Sequence, residues 1–141
     1  MSRSPQRQGN LSRKMSSGFD FFNETKAKIS RLAFLRIKNA ILGKKYELSV
    51  AIVGAHKMRE LNKRWRDKNK PTDILSFPLS NKCGEIYISP DAAKKEAKKF
   101  DRECDNFILF LFIHGLVHLK GYEHGGIMES IEKKFRKKFG I

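Results

Sequence analysis

Apolar residues recur along this chain with two different periods, and each change of period marks a new element. Phe19 to Asn23 is a short apolar run that predicts a strand. Glu24 to Leu42 puts Ile29, Leu32, Ala33, Leu35, Ile37 and Ile41 near one face of an amphipathic helix, which Gly43 ends. Tyr46 to Val53 predicts a strand, and His56 to Asp67 a helix with Met58, Leu61 and Trp65 inward. Asp67 to Lys70 is polar and turn-like, and Pro71 blocks helix continuation. Asp73 to Phe77, closed by Pro78, and the alternating stretch Gly84 to Ser89 predict two more strands. Ser89 or Asp91 caps the following helix, with Pro90 in or near its first turn. That helix runs to about Phe100 and is lysine-rich and mostly solvated.

From about Asp105 to Lys120 the pattern changes again. Phe107 to Ile113, then Leu116 and Val117, are apolar at nearly every position, which predicts a helix buried almost all round. A last helix spans about Ile127 to Phe139, with Ile127, Ile131, Phe135 and Phe139 on one face. No internal repeat is visible. These elements predict an α+β fold: a small mixed sheet of about four strands covered by about five helices, in a single domain over residues 18–141. Residues 1–17 are rich in Ser, Arg, Gln and Gly and lack periodicity. They read as a disordered basic tail, or as an upstream extension if translation starts at Met15.

The buried helix carries polar residues that need a reason. His114 and His118 stand four apart, so their Cβ atoms share one face roughly 5–6 Å apart. Gly121 can end the helix with a left-handed residue, and the chain can then turn back to deliver His124. A histidine pair at this spacing is more often incidental than a ligand pair. The third histidine and the intervening glycine favour a metal. Three neutral imidazoles and one open position are the pattern of a catalytic zinc site, where bound water becomes a nucleophile near neutral pH. Nickel, copper and iron also accept imidazole. Peptidases of the H-E-x-x-H type carry a general-base glutamate after the first histidine, whereas this chain has Gly115, which argues against peptide hydrolysis. His56 has no partner at ligand spacing and reads as a surface or capping residue.

Charge narrows the partner. The 141 residues carry 30 Lys and Arg against 15 Asp and Glu, a formal net charge of +15. Such a chain suits a polyanion. Seven basic residues lie between Lys57 and Lys70, among them Lys63, Arg66, Lys68 and Lys70, and five between Lys133 and Lys138. Nucleic acid ranks ahead of a membrane surface, because no stretch pairs basic charge with an exposed apolar face. No apolar run reaches the ~20 residues of a membrane span, and no signal-peptide core follows the basic N-terminus. A cytoplasmic protein is expected. The two cysteines, Cys83 and Cys104, fit no zinc knuckle or redox spacing and read as free thiols, a disulfide being the lesser alternative.

Three segments together resemble one family. His114-Gly115-Leu116-Val117-His118-Leu119-Lys120-Gly121-Tyr122-Glu123-His124 is similar to the H-G-x-L-H-L-x-G-Y-D-H pattern of the YbeY endoribonucleases. Leu61-Asn62, Trp65-Arg66 and Lys70-Pro71-Thr72-Asp73-Ile74-Leu75-Ser76-Phe77-Pro78 resemble that family's L-N-x-x-Y-R-x-x-x-x-P-T-D-V-L-S-F-P. Gly84-Glu85-Ile86-Tyr87-Ile88-Ser89 is similar to its G-D-I-x-I-S strand. The resemblance covers about residues 19–139 in matching order. Glu85 and Glu123 stand where aspartate is usual, and Trp65 where tyrosine is.

The resemblance implies a zinc-metallohydrolase-like domain and a single-strand-specific, metal-dependent endoribonuclease, active in 16S ribosomal RNA 3′-end maturation and ribosome quality control, with the small subunit as partner. It implies one Zn²⁺ on His114, His118 and His124, and catalytic roles for His114 and Arg66, whose planar fork can grip phosphoryl oxygens. Arg66, Lys63, Lys68 and Lys70 would contact RNA. Glu123, Asp73 and Ser76 are candidates to stand behind the site, though an exposed glutamate and a strand edge explain them equally well. Tyr122 can stack on a base or pack beside the site. Either water or a ribose 2′-hydroxyl can be the nucleophile. The alternative is a non-catalytic, zinc-stabilised RNA-binding ribosome assembly factor. Oligomeric state is not legible.

Overall fold

The computed structural model describes residues 18–67 and 72–141. The expected tail 1–17, Lys68, Lys70 and the Pro71 helix stop lie outside the described residues. Four strands form one mixed sheet: β1 (Phe19–Asn23), β2 (Glu47–Ile52), β3 (Ile74–Ser80) and β4 (Cys83–Ile88), in the order β1-β2-β4-β3. β1 and β4 run parallel to β2, with Phe21 opposite Val50 and Val50 opposite Ile86; β3 returns antiparallel to β4. Five helices surround the sheet: α1 (Arg31–Leu42), α2 (Ala55–Arg66), α3 (Pro90–Lys99), α4 (Cys104–Leu119) and α5 (Gly126–Phe139). The expected α+β fold is therefore present.

Strand alternation divides the interior into two layers. Leu48, Val50, Ile52, Ile86 and Ile88 face the large core of α1, α3, α4 and α5. Ala51, Val53, Leu75 and Tyr87 face the other way, onto Met58 and Leu61 of α2, with Trp65 packed alongside. Side chains of period two thus serve two covered faces. α4 lies at the centre of the large layer, against β3, β4, α1, α3 and α5. Seven of the ten residues from Phe107 to Leu116 are buried, as its apolar pattern predicts. Among the described residues, no helix is long and apolar enough to cross a membrane.

Several boundaries differ from expectation. α1 begins at Arg31, seven residues after Glu24, because local side-chain bonds hold the preceding segment out of helix. Asn23 Oδ1 accepts the Thr25 N–H at 2.9 Å, and Asn23 Nδ2 donates to the Ala27 carbonyl at 2.7 Å. Ser30 then caps the helix by accepting the Ala33 N–H at 3.1 Å. Phe34, Ile37, Lys38 and Ile41 form the buried face of α1, while Leu32 is 55% exposed. β3 continues through Pro78 to Ser80, which a strand at the sheet edge tolerates. Ser89, rather than Asp91, caps α3 through the Ala92 N–H at 3.4 Å. α5 presents Met128 and Glu132 to the interior, leaving Ile127 72% exposed. Cys83 and Cys104 are not joined in a disulfide.

Candidate functional site

α4 reaches the sheet so closely that one of its positions has no room for a side chain. A Cβ on Gly115 would stand 2.8 Å from Ser76 Oγ, 2.9 Å from Ile74 Cδ1 and 3.2 Å from Ile86 Cδ1. The position that carries a base in H-E-x-x-H peptidases therefore faces β3 and β4 here. Ser76, a candidate to stand behind the site, lies against this glycine, next in sequence to His114. With Gly115 on the sheet, His114 turns toward α5, half-buried, and His118 lies exposed one turn on. Gly121 takes φ +110°, the chain reverses, and His124 is exposed just before α5.

The reversal gathers the three rings. The His114 and His124 centroids are 5.4 Å apart with planes 28° from parallel; His118 and His124 are 6.5 Å apart at 24°. Two imidazoles sharing a tetrahedral ion would have centroids about 5 Å apart, given metal–nitrogen bonds of about 2.0–2.1 Å. The first pair is near that spacing and the second is wider. Among the described residues, no group of three His, Cys, Asp or Glu is drawn together closely enough to hold an ion. The donor set itself fits a divalent cation of borderline softness: two imidazoles from the end of α4 and one from the exposed turn after it, with a carboxylate behind one of them.

That carboxylate is Glu132 of α5, which pattern reasoning missed. It is only 4% exposed, and its Oε2 is 2.9 Å from His114 Nδ1. Arg136, one turn on, brings Nη1 to 3.5 Å from Glu132 Oε1 and donates from Nη2 to Glu129 Oε2 at 3.1 Å. Its guanidinium lies 4.9 Å from the Phe110 ring centroid. An acid at the buried register of α5, four residues after Met128, was a legible signal that the chosen phase of that helix concealed.

Electrostatics differ from ring to ring. The hydrogen bond from His114 to Glu132 raises the His114 pKa above its ordinary value against the opposing effect of burial, helped by the Glu132, Asp73 and Glu129 charges. Desolvation lowers that of His118, as do the charges of His114, His124 and Arg66, while a hydrogen bond to the Tyr122 backbone opposes them. Arg66 ends α2, exposed, and its charge thus reaches the histidine cluster. Lys63 is exposed on the same helix.

Beside His114 and His124 opens a cavity of about 390 Å³, walled by Phe100, Phe107 and Phe110 and by Asp73, Glu96 and Glu132. Burial, and then the nearby Glu96 charge, raises the Asp73 pKa. Asp73 therefore stands beside the site. Glu123 is exposed in the turn, and Tyr122 packs on the core beneath it.

Comparison with known proteins follows the same lines. A family profile described as "Endoribonuclease YbeY" matches residues 17–140. A protein of Nautilia profundicola named "Endoribonuclease YbeY" is 38% identical over 129 residues, which are 86% of this chain and 91% of that relative. One of the same name from Aquifex aeolicus is 43% identical over 96 residues, 64% of this chain and 63% of the relative, so that match spans less than two thirds of its length. A solution structure of a Thermotoga maritima protein superposes with a TM-score of 0.64 at 28% identity, covering 86% of this chain and 88% of the other.

Proposed function

Because this chain belongs to the endoribonuclease YbeY family, we propose that it cuts single-stranded RNA by a metal-dependent reaction centred on His114, His118 and His124. The observation that carries the proposal is the gathering of three imidazoles, from the end of α4 and the exposed turn after it, within reach of the Arg66 charge. Zinc is the ion proposed, held by those three rings. When bound, it supplies Lewis acidity and positive charge at a scissile phosphodiester. Arg66 grips phosphoryl oxygens and offsets the charge that develops on them. The carboxylates of the neighbouring cavity repel phosphate, so the RNA backbone approaches from the Arg66 side. Lys63 and the other lysines of that stretch extend the attraction along the strand.

The biological reading is 16S ribosomal RNA 3′-end maturation and ribosome quality control, on the small subunit in the cytoplasm. The reading of a zinc-stabilised assembly factor would need a fourth protein ligand. Cys104 lies ten residues before His114 on the same helix, about 15 Å along its axis. The test is incubation of purified protein with single- and double-stranded RNA, with zinc or with chelator, beside His114→Ala. Cutting confined to single strands, abolished by chelator and by the substitution, is expected. Equal cutting by the variant would refute the assignment. A 2′,3′-cyclic phosphate at the product end would identify the ribose hydroxyl as nucleophile, and a plain monophosphate would identify water.

A further inference from the structure

A buried carboxylate held at one end by an arginine and at the other by an imidazole has little freedom to do anything but orient that ring. Glu132 Oε2 faces His114 Nδ1 at 2.9 Å, while Oε1 faces Arg136 at 3.5 Å. Arg136 is itself fixed by Glu129 and by the Phe110 ring. We propose that Glu132 is a positioning residue: it accepts the His114 Nδ1–H, fixes that tautomer, and leaves the Nε2 lone pair as the nitrogen the ring offers to an ion.

The proposal rests on the reading of His114 as a ligand, and three features support it. An ionised carboxylate is an acceptor only, so a neutral imidazole bonded to it must carry its proton on Nδ1. A metal ligand needs its other nitrogen held, and a carboxylate on that nitrogen both orients the ring and raises its basicity. Burial makes the arrangement stiff, since a carboxylate that left its partners would be unpaired in a dry interior. Arg136 holds the far oxygen, so rotation of Glu132 is opposed as well. No sequence neighbour of His114 does this; the contact exists because α5 docks beside α4.

The test uses two variants. Glu132→Gln keeps the shape and removes the charge. Glu132→Leu removes the acceptor and fills the space. Proton location on His114 is read in metal-free protein by long-range ¹H–¹⁵N correlation spectra at alkaline pH, where the ring is neutral. Zinc affinity is read separately by competition with a chelator. The wild type should show the proton on Nδ1. Glu132→Leu should move it to Nε2 and weaken zinc binding about 10–100-fold, with Glu132→Gln in between. A purely structural carboxylate would change thermal stability alone. Protonation on Nδ1 together with zinc affinity within twofold of wild type in both variants would overturn the proposal. Should Glu132→Leu fail to fold, the isosteric Gln variant carries both readouts. If the wild type binds no zinc, the ligand reading fails, and the metal-free spectra still decide whether Glu132 sets the ring.

Discussion

Gly115→Ala tests the packing on which the site depends. The new methyl would stand 2.8 Å from Ser76 Oγ, 2.9 Å from Ile74 Cδ1 and 3.2 Å from Ile86 Cδ1. Carbon contacts are comfortable at about 3.5–4.0 Å, so each neighbour must yield by roughly 0.3–1 Å. Ser76 can rotate its hydroxyl away. Ile86 is fully buried in the large core, and its methyl has nowhere comparable to go. Overpacking of this kind costs about 1–3 kcal/mol. Replacing glycine by alanine in a helix interior returns about 1 kcal/mol. The net expectation is a loss of about 0–2 kcal/mol, centred on about 1 kcal/mol.

Gly126→Ala supplies the control. It lies in the first turn of α5, where an added Cβ meets nothing within 4 Å. That variant should be neutral or gain up to about 1 kcal/mol. The two alanines should therefore differ by about 1–2 kcal/mol, or roughly 3–10 °C in Tm for a domain near this size. Urea and thermal melts followed by far-UV circular dichroism, with chelator present so that no ion adds stability, measure the difference. Equal stability of the two variants would refute the close approach of α4 to β3 and β4.

Other expectations concern the far end of α4, the alkaline limit and the basic surface. A Cβ on Gly84 would stand 2.5 Å from Tyr46 Oη and 3.1 Å from a Leu119 methyl, so Gly84→Ala should cost about 1–3 kcal/mol. Tyr46→Phe should restore part of that loss, and a double-mutant cycle of urea melts should show coupling above about 0.5 kcal/mol; strict additivity would contradict the contact. Burial, and then the Cys83 charge, pushes the Tyr46 hydroxyl up to about 12, against about 10 in an unfolded chain. Above pH 10 the unfolded chain gives up this proton first, so stability falls as pH rises from 10 toward 12, and Tyr46→Phe should flatten that slope. Arg66→Ala should slow RNA cutting by about 10²–10³-fold while leaving Tm unchanged, since the side chain is exposed; wild-type rates with zinc retained would remove Arg66 from the mechanism. RNA affinity should drop steeply between low and moderate salt, given the net charge of +15; a flat response in a filter-binding titration would exclude a large electrostatic contribution.

Elements written in a single run of residues were legible. α4 is apolar at nearly every position from Phe107 to Ile113, and only a central helix can bury that pattern. β2 and β4 were legible to within a residue at each end, as short apolar or alternating runs bounded by turn residues. The errors fell where local chemistry or docking competes with periodicity. At the start of α1, an Asn–Thr turn outweighs a helical pattern that would otherwise extend back to Glu24. At Pro78, sheet position decides: an edge strand survives the missing donor, and sequence alone does not reveal which strand is at the edge. In α5, Ile131, Phe135 and Phe139 pack against the core as their spacing suggests, but Ile127 is exposed and docking buries Met128 and Glu132 most deeply, about one position further round the helix.

The candidate site divides in the same way. His114, His118, Gly121 and His124 lie within eleven residues, so helical spacing and one positive-φ glycine suffice to bring them together. Glu132 is eighteen residues from His114, on another helix, and becomes its partner only once α4 and α5 have packed. Gly115 shows how the two halves are joined. In a motif its lack of a side chain reads as the loss of a catalytic base; in the fold it lets α4 settle onto β3 and β4, which turns His114 toward α5 and the waiting carboxylate. The histidine spacing thus specifies which donors can meet. The absence of a methyl group one position away decides how deeply the helix that carries them sits.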